Sequence, residues 1–103
     1  MTNFNRISAA EATAIMTERE SLLIDIRDEQ SFQLGHVENA MHISNANISE
    51  FITNSNMELP LIVYCYHGNS SQPTAAYLAE QGFSEVYSID GGFEGWIGSQ
   101  LPE

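Results

Sequence analysis

The only cysteine of the chain, Cys65, ends the apolar run Leu61–Tyr64 and precedes a polar loop and a segment with helical character, Gln72–Gln81. The loop consists of Tyr66, His67, Gly68, Asn69, Ser70 and Ser71. Backbone N–H groups of such a loop can converge on one point, and the N-terminus of the next helix adds partial positive charge there. Both effects favour the thiolate, which is the nucleophilic form of cysteine. The spacing therefore predicts a reactive sulfur at residue 65.

The loop residues have ordinary structural interpretations beside the functional ones. Gly68 fits a plain turn, or a positive φ that aims successive N–H groups at an anion. Asn69, Ser70 and Ser71 fit helix capping, with Ser71 as the N-cap, or hydrogen bonding to the oxygens of a substrate. The two interpretations of these three residues are compatible.

The three histidines are weaker candidates. His67 lies two residues after the cysteine, where an imidazole can carry charge near neutral pH and stabilise a thiolate or a departing anion. A solvated loop residue is the alternative, and we favour it. His36 and His42 are distant in sequence and are expected to be structural.

Asp25 and Arg27 alternate about Ile26, so both leave the predicted strand on the same face. A structural ion pair is the favoured interpretation. Arg27 is nevertheless one of only three cations and lies at the carboxyl end of its strand. Electrostatic support of an anion site by Arg27 is therefore the alternative hypothesis.

Composition limits the classes of function. The chain has 103 residues, enough for one domain, which we assign to residues 1–103. Three arginines and no lysine oppose 14 carboxylates, giving a formal net charge of −11. Nucleic acids and anionic membranes require cations to neutralise phosphate, so neither is an expected partner. Any anion site must be local and built from backbone amides or from one of the few cations.

The cysteine content and the N-terminal sequence predict a reducing environment. A single cysteine cannot form an internal disulfide, and no Cys/His spacing indicates a structural zinc. The first residues lack the pattern of a signal peptide, and no apolar run is long enough for a bilayer span. We expect a cytoplasmic protein.

Strands and helices are predicted to alternate along the chain. The predicted strands are Phe4–Ile7, Leu22–Ile26, Ala40–Ile43, Leu61–Cys65 and Val86–Ile89. The predicted helices are Ala9–Arg19, Glu29–Leu34, one starting after Asn47, Gln72–Gln81 and Phe93–Ile97. Capping boxes are indicated by Ser8 with Glu11 and by Asn47 with Glu50. Short connections between such elements predict an α/β domain with a largely parallel sheet, which binds ligands at the carboxyl ends of its strands.

Several short motifs in this order resemble those of the rhodanese domain over essentially the whole chain. They are Asp25-Ile26-Arg27, Phe32 with Gly35-His36-Val37 and Ala40, Cys65 to Gly68, and Asp90-Gly91-Gly92 with Trp96. The string from Cys65 to Ser71 is similar to that of small single-domain bacterial members of the family, which transfer sulfur from thiosulfate and are associated with glycerol-3-phosphate metabolism.

This resemblance implies a fold and a mechanism. The fold is a five-stranded, mainly parallel sheet with helices on both faces. The mechanism moves the outer sulfur of thiosulfate to Cys65 as a persulfide, releases sulfite, and passes the sulfur to cyanide, a thiol or a dithiol such as thioredoxin. Residues 66–71 would bind the substrate through their backbone N–H groups. Neither a metal nor an organic cofactor is required.

Two rival functions remain open at this stage. A related cysteine phosphatase or arsenate reductase needs an arginine at the end of the loop, and no arginine follows Arg27 in this chain. Many rhodaneses also have a cation there, whereas this chain has Ser70, Ser71 and Gln72. The second rival is a persulfide carrier that works only with a protein partner.

Overall fold

Five short segments form one sheet in the computed structural model, which describes residues 4–100. The strands are β1 (Phe4–Ile7), β2 (Leu22–Asp25), β3 (Met41–His42), β4 (Leu61–Tyr64) and β5 (Val86–Ile89). They lie in the order β1-β5-β4-β2-β3, and every pairing is parallel. The central strand β4 is buried along its whole length, and its carboxyl end leads directly to Cys65. The first and last three residues of the predicted 1–103 domain lie outside the described part.

Helices cover both faces of the sheet. They are α1 (Ala9–Glu18), α2 (Glu29–Leu34), α3 (Ile48–Asn54), α4 (Ser71–Glu80) and α5 (Gly92–Gln100). On one face, Ala12 of α1 packs with Ile62, and Trp96 of α5 lies against the same cluster. On the other face, Phe51 of α3 and Leu78 of α4 pack with strand side chains of a second cluster. The predicted five-stranded α/β fold is confirmed.

The two predicted capping boxes have different outcomes. The Ser8 hydroxyl accepts from the Glu11 N–H at 3.0 Å, and the Glu11 carboxylate accepts from the Ser8 N–H at 2.9 Å, as predicted. Asn47 is the N-cap of α3, but its side chain makes no capping bond. Its amide instead accepts from the Ser44 N–H at 2.7 Å and donates to the His42 carbonyl at 3.0 Å. The preceding turn therefore takes the side chain that we expected to pair with the helix, and the prediction is wrong.

The predicted boundaries near the cysteine shift by one residue. β4 ends at Tyr64, because the carbonyl of Cys65 accepts from Phe93 at the start of α5 and not from a neighbouring strand. The N-cap of α4 is Ser70, so Ser71 is the first helical residue and not the cap. Other differences are that β2 ends at Asp25, β3 is only Met41–His42, and α5 runs over Gly92–Gln100.

No helix within residues 4–100 combines the length and the apolar character needed to cross a membrane.

Candidate active site

The sulfur of Cys65 lies at the carboxyl end of β4 and faces hydrogen-bond donors from the loop. The backbone N–H of Gly68 donates to Sγ at 3.3 Å, and that of Ser71 donates at 3.2 Å. The Ser71 hydroxyl oxygen lies 3.4 Å from the same sulfur. Three donor groups thus converge on one atom, as expected for a site that holds negative charge.

These donors outweigh the burial of the cysteine. The side chain is only 4% exposed, and burial alone raises the pKa of a thiol. The hydroxyl and N–H of Ser71 and the N–H groups of Gly68 and His67 act in the opposite direction, and the net effect lowers the pKa of Cys65 from its ordinary 9.0. The site therefore favours the thiolate in spite of its small exposure.

The helix that follows the loop uses this sulfur as its capping group. Ser70, the N-cap residue of α4, makes no side-chain capping bond. The first N–H group of the helix, from Ser71, instead donates to Sγ. Because the positive end of the helix dipole lies there, the arrangement stabilises a charged sulfur more than a neutral one.

Gly68 is needed at its position for two reasons. Its φ is +93°, in the region that disfavours residues with a Cβ atom. A Cβ there would lie 2.8 Å from the backbone nitrogen of Gly91 and 3.1 Å from the carbonyl oxygen of Ile89. The close approach of the loop to the turn after β5 thus fixes the peptide group whose N–H reaches the sulfur.

Two of the predicted loop residues contribute no side-chain hydrogen bond to the sulfur. Asn69 and Ser70 are exposed, and neither side chain bonds to Sγ. The Asn69 carbonyl accepts from the N–H of Gln72 at 3.3 Å. The Gln72 side-chain amide donates to the Gly68 carbonyl at 2.8 Å. The Gln72 side chain therefore braces the loop.

Tyr66 and His67 form the exposed rim of the loop. The Tyr66 hydroxyl bonds with the Asp28 carboxylate and with the Ser31 hydroxyl. Together with Ser31, it holds the pKa of Asp28 at about 2. The imidazole Nδ1 of His67 lies 3.0 Å from a carboxylate oxygen of Glu94, and both side chains are largely exposed. His67 thus presents its ring to solvent and to Glu94, while its backbone N–H serves the sulfur.

Asp25 and Arg27 form the ion pair that the sequence favours. Nη2 of Arg27 lies 2.7 Å from the Asp25 carboxylate, and the two side chains are 3% and 0% exposed. The same nitrogen donates to the Gly35 carbonyl at 2.6 Å. The guanidinium carbon lies 3.9 Å from the ring centre of Phe93 and 5.6 Å from that of Tyr66. The Asp25 carboxylate balances the charge of Arg27, and the guanidinium packs against the Tyr66 ring at the rim of the loop. Electrostatic support of an anion by Arg27 stays a prediction.

The other two histidines have structural contacts, in line with the sequence-based expectation. His36 Nδ1 lies 2.8 Å from the Phe32 carbonyl oxygen, and its ring stacks on that of Phe32. His42 Nε2 lies 2.6 Å from the carbonyl oxygen of Arg27.

One residue of the site, Ser88, is absent from the sequence-based predictions. Its hydroxyl lies 2.7 Å from that of Ser71, and both side chains are fully buried. Ser88 is on β5, 17 positions along the chain from Ser71. Its only sequence signal is a hydroxyl at a buried position of the strand Val86–Ile89, where an apolar residue is expected.

The fold and the cysteine loop define a class of protein that comparison with known families identifies. A family model described as a rhodanese-like domain matches residues 8–99. The chain belongs to this family, as the resemblance of its motifs predicted.

Two curated relatives are both described as thiosulfate sulfurtransferase GlpE. The protein of Ectopseudomonas mendocina is 54% identical over 96 residues, which cover 93% of this chain and 87% of the relative. The protein of Vibrio cholerae is 48% identical over 102 residues, covering 99% and 96% respectively.

Solved structures share the fold at much lower sequence identity. A rhodanese-related protein from Thermoplasma volcanium superposes with a TM-score of 0.80 at 23% identity, covering 96% of each chain. A rhodanese-like domain protein from Staphylococcus aureus gives 0.78 at 21% identity, covering 90% of this chain and 91% of that one.

Proposed function

We propose that this protein is a thiosulfate sulfurtransferase that carries the transferred sulfur on Cys65. The observation that carries the proposal is the convergence of two backbone N–H groups and one hydroxyl on a buried sulfur. The names and similarity of the relatives support thiosulfate as the donor. The chemistry is nucleophilic catalysis, in which a covalent intermediate divides one transfer into two steps.

In the first step, the Cys65 thiolate attacks the outer sulfur of thiosulfate. The bond between the two sulfurs of thiosulfate breaks, its electron pair leaves with sulfite, and Cys65 becomes a persulfide. Negative charge is present at every stage of this step. Donors that are already fixed by the loop stabilise that charge without having to reorganise.

In the second step, a thiophilic acceptor attacks the terminal sulfur of the persulfide. The S–S bond breaks, the Cys65 thiolate is restored, and cyanide becomes thiocyanate or a thiol becomes a persulfide. A protein dithiol such as thioredoxin is a further proposed acceptor. A reducing cytoplasm is the proposed location, since it would supply thiols and keep the single cysteine reduced.

The decisive experiment measures the mass of the intact protein before and after exposure to thiosulfate. Because Cys65 is the only cysteine, the gain of one sulfur atom identifies its position directly. We expect that gain, its loss on addition of cyanide with release of thiocyanate, and no gain in Cys65→Ser. Turnover by Cys65→Ser close to that of the wild type would contradict the proposal.

Two further outcomes separate the rival functions. Loading from a protein persulfide together with failure to load from thiosulfate would identify a carrier that depends on a partner. Hydrolysis of a chromogenic phosphate ester would identify a phosphatase. We expect no hydrolysis, because the loop contains no arginine to bind phosphoryl oxygens.

A further inference from the structure

Two buried hydroxyl groups lie in series behind the reactive sulfur. The first, on Ser71, is 3.4 Å from Sγ, and the second, on Ser88, is 2.7 Å from the first. Within residues 4–100, the Ser71 oxygen is the only hydrogen-bond partner of the Ser88 hydroxyl. Ser88 reaches the site from β5, outside the cysteine loop, and does not contact the sulfur itself.

The number of available hydrogens distinguishes the two charge states of the sulfur. When Cys65 is a thiolate, the Ser71 hydroxyl donates to Sγ and accepts from the Ser88 hydroxyl, so every O–H group has an acceptor. When a neutral thiol donates to Ser71, the Ser71 hydrogen must turn to Ser88. The hydrogen of Ser88 then has no acceptor among its described contacts, and a buried donor without a partner is unfavourable.

We propose that Ser88 is a positioning residue that donates to the Ser71 hydroxyl and thereby directs the Ser71 hydrogen at the Cys65 sulfur. Its effect on the thiolate follows from the geometry alone. Its importance for sulfur transfer rests on the function proposed above.

No charged side chain around the loop orients the Ser71 hydroxyl, because each of them has another partner. Those on the surrounding elements are Arg27 and Asp28 after β2, Asp90 after β5 and Glu94 on α5, together with His67 in the loop. Asp28 is bonded to the Tyr66 hydroxyl. Arg27 is paired with Asp25, and Asp90 with Arg6 at 2.8 Å. His67 and Glu94 lie against one another. None of these side chains bonds with Ser71 or Ser88.

The test is the pH dependence of Cys65 alkylation by iodoacetamide, which requires no sulfur transfer. Ser88→Ala removes one oxygen atom and should keep the fold, which thermal unfolding monitors. We expect the inflection of the pH profile to move upward, so that alkylation below the wild-type inflection slows by roughly three- to tenfold, with the rate at high pH retained. Ser88→Thr keeps the hydroxyl and should restore the wild-type profile.

A double-mutant cycle decides whether Ser88 acts through Ser71. In a Ser71→Ala background, Ser88→Ala should have little further effect, because the hydroxyl that it orients is gone. Val86→Ala, on the same strand and face, removes buried atoms without a hydroxyl and should leave the alkylation profile unchanged. The proposal is overturned if Ser88→Ala alkylates like the wild type, or if its effect persists in full without the Ser71 hydroxyl. If the wild-type protein fails to take up sulfur from thiosulfate while the variants show the expected alkylation profiles, the proposed function is contradicted and the role of Ser88 is not.

Discussion

The backbone N–H of Phe93 donates to the carbonyl oxygen of Cys65 at 2.7 Å. The next N–H, from Glu94, donates to the carbonyl of Tyr66 at 3.2 Å. The first turn of α5 thus binds the carbonyl side of the cysteine loop. Since N–H and C=O point to opposite sides of a trans peptide, the bond to the Tyr66 carbonyl directs the N–H of His67 away from α5. That N–H is one of the groups that lower the pKa of Cys65, so α5 helps to set the direction of this donor.

Gly92 makes this close contact possible, so Gly92→Ala should damage both stability and reactivity. Its φ is +56°, and a Cβ there would lie 2.4 Å from the Cys65 carbonyl oxygen. We expect a loss of at least about 2 kcal/mol in the free energy of unfolding, from backbone strain and overlap together. Urea denaturation followed by circular dichroism measures the change, and alkylation of the folded variant should be slower.

Gly98→Ala in the same helix is the matched control. A Cβ at Gly98 meets no atom of the described residues within 4 Å, so this change should stabilise the protein by roughly 0.5–1 kcal/mol through helix propensity. If Gly92→Ala and Gly98→Ala change the free energy of unfolding equally, the contact of Gly92 with the cysteine loop does not contribute to stability.

The pH profile of Cys65 alkylation tests the donor arrangement around the sulfur. Because the pKa of Cys65 is lowered, the thiolate persists to lower pH than in an ordinary cysteine. The alkylation rate should fall only as the pH drops through an inflection below 9.0. Gly68→Ala should move the inflection upward by roughly one unit, because strain at φ +93° displaces an N–H donor.

Gly35→Ala controls for the loss of a glycine as such. Gly35 has extended backbone with φ 168°, and a Cβ there meets no atom within 4 Å in the part of the chain that the structure describes. Its alkylation profile should match the wild type. A wild-type inflection at or above 9.0, or an unshifted profile for Gly68→Ala, would count against the thiolate site.

The buried ion pair Asp25–Arg27 should be costly to break from one side. Asp25→Asn leaves the buried guanidinium without its counter-charge, and we expect a loss of about 3–5 kcal/mol in the free energy of unfolding. Asp90→Asn breaks an arginine pair whose side chains are 60% and 46% exposed, and should cost less than about 1 kcal/mol. Urea denaturation of both variants gives the comparison.

Replacing both partners by apolar residues shows whether the loss of stability comes from an unpaired charge or from lost packing. The double substitution Asp25→Leu with Arg27→Met should recover most of the stability lost in Asp25→Asn, since no buried charge is left unpaired. If Asp25→Asn is no more harmful than Asp90→Asn, the pair is not effectively buried in solution.

The fold was predictable because its signals are local. The apolar run at Leu61–Tyr64 and the capping box of Ser8 and Glu11 each act within a few residues of the chain. The cysteine and its loop were predictable for the same reason. The short length of β3 and the boundaries of α5 were harder to predict, because tertiary contacts determine them.

The contacts made by residues distant in sequence could not be read from the chain. Nothing in the local sequence indicates that the hydroxyl of Ser88 meets that of Ser71, or that Phe93 closes on the Cys65 carbonyl. Asn47 shows the converse problem. Its local sequence predicts a capping bond to the helix, but its side-chain amide accepts from Ser44 in the preceding turn. Local patterns therefore predicted the position of the cysteine and its loop, whereas the partners that support them required the packing of β5 and α5.

Because the protein is strongly acidic, its reaction with an anionic substrate should become faster when salt is added. With a formal net charge of −11, the protein repels thiosulfate, and added salt screens that repulsion. We expect kcat/KM for thiosulfate to rise between low and physiological ionic strength. Alkylation offers a simpler comparison on the same sulfur, in which the rate with anionic iodoacetate should rise with salt and the rate with neutral iodoacetamide should not.

Gln72→Lys tests whether a cation at the start of α4 corrects this repulsion. A positive charge near the loop should raise kcat/KM for thiosulfate by roughly three- to sixfold at low salt, and the gain should shrink as salt is added. Gln72→Met is the matched control, because it removes the amide that donates to the Gly68 carbonyl without adding charge. Loss of that brace should lower the rate equally at all salt concentrations. A gain for Gln72→Lys that is independent of salt, or no gain at all, would show that local charge does not limit the capture of thiosulfate.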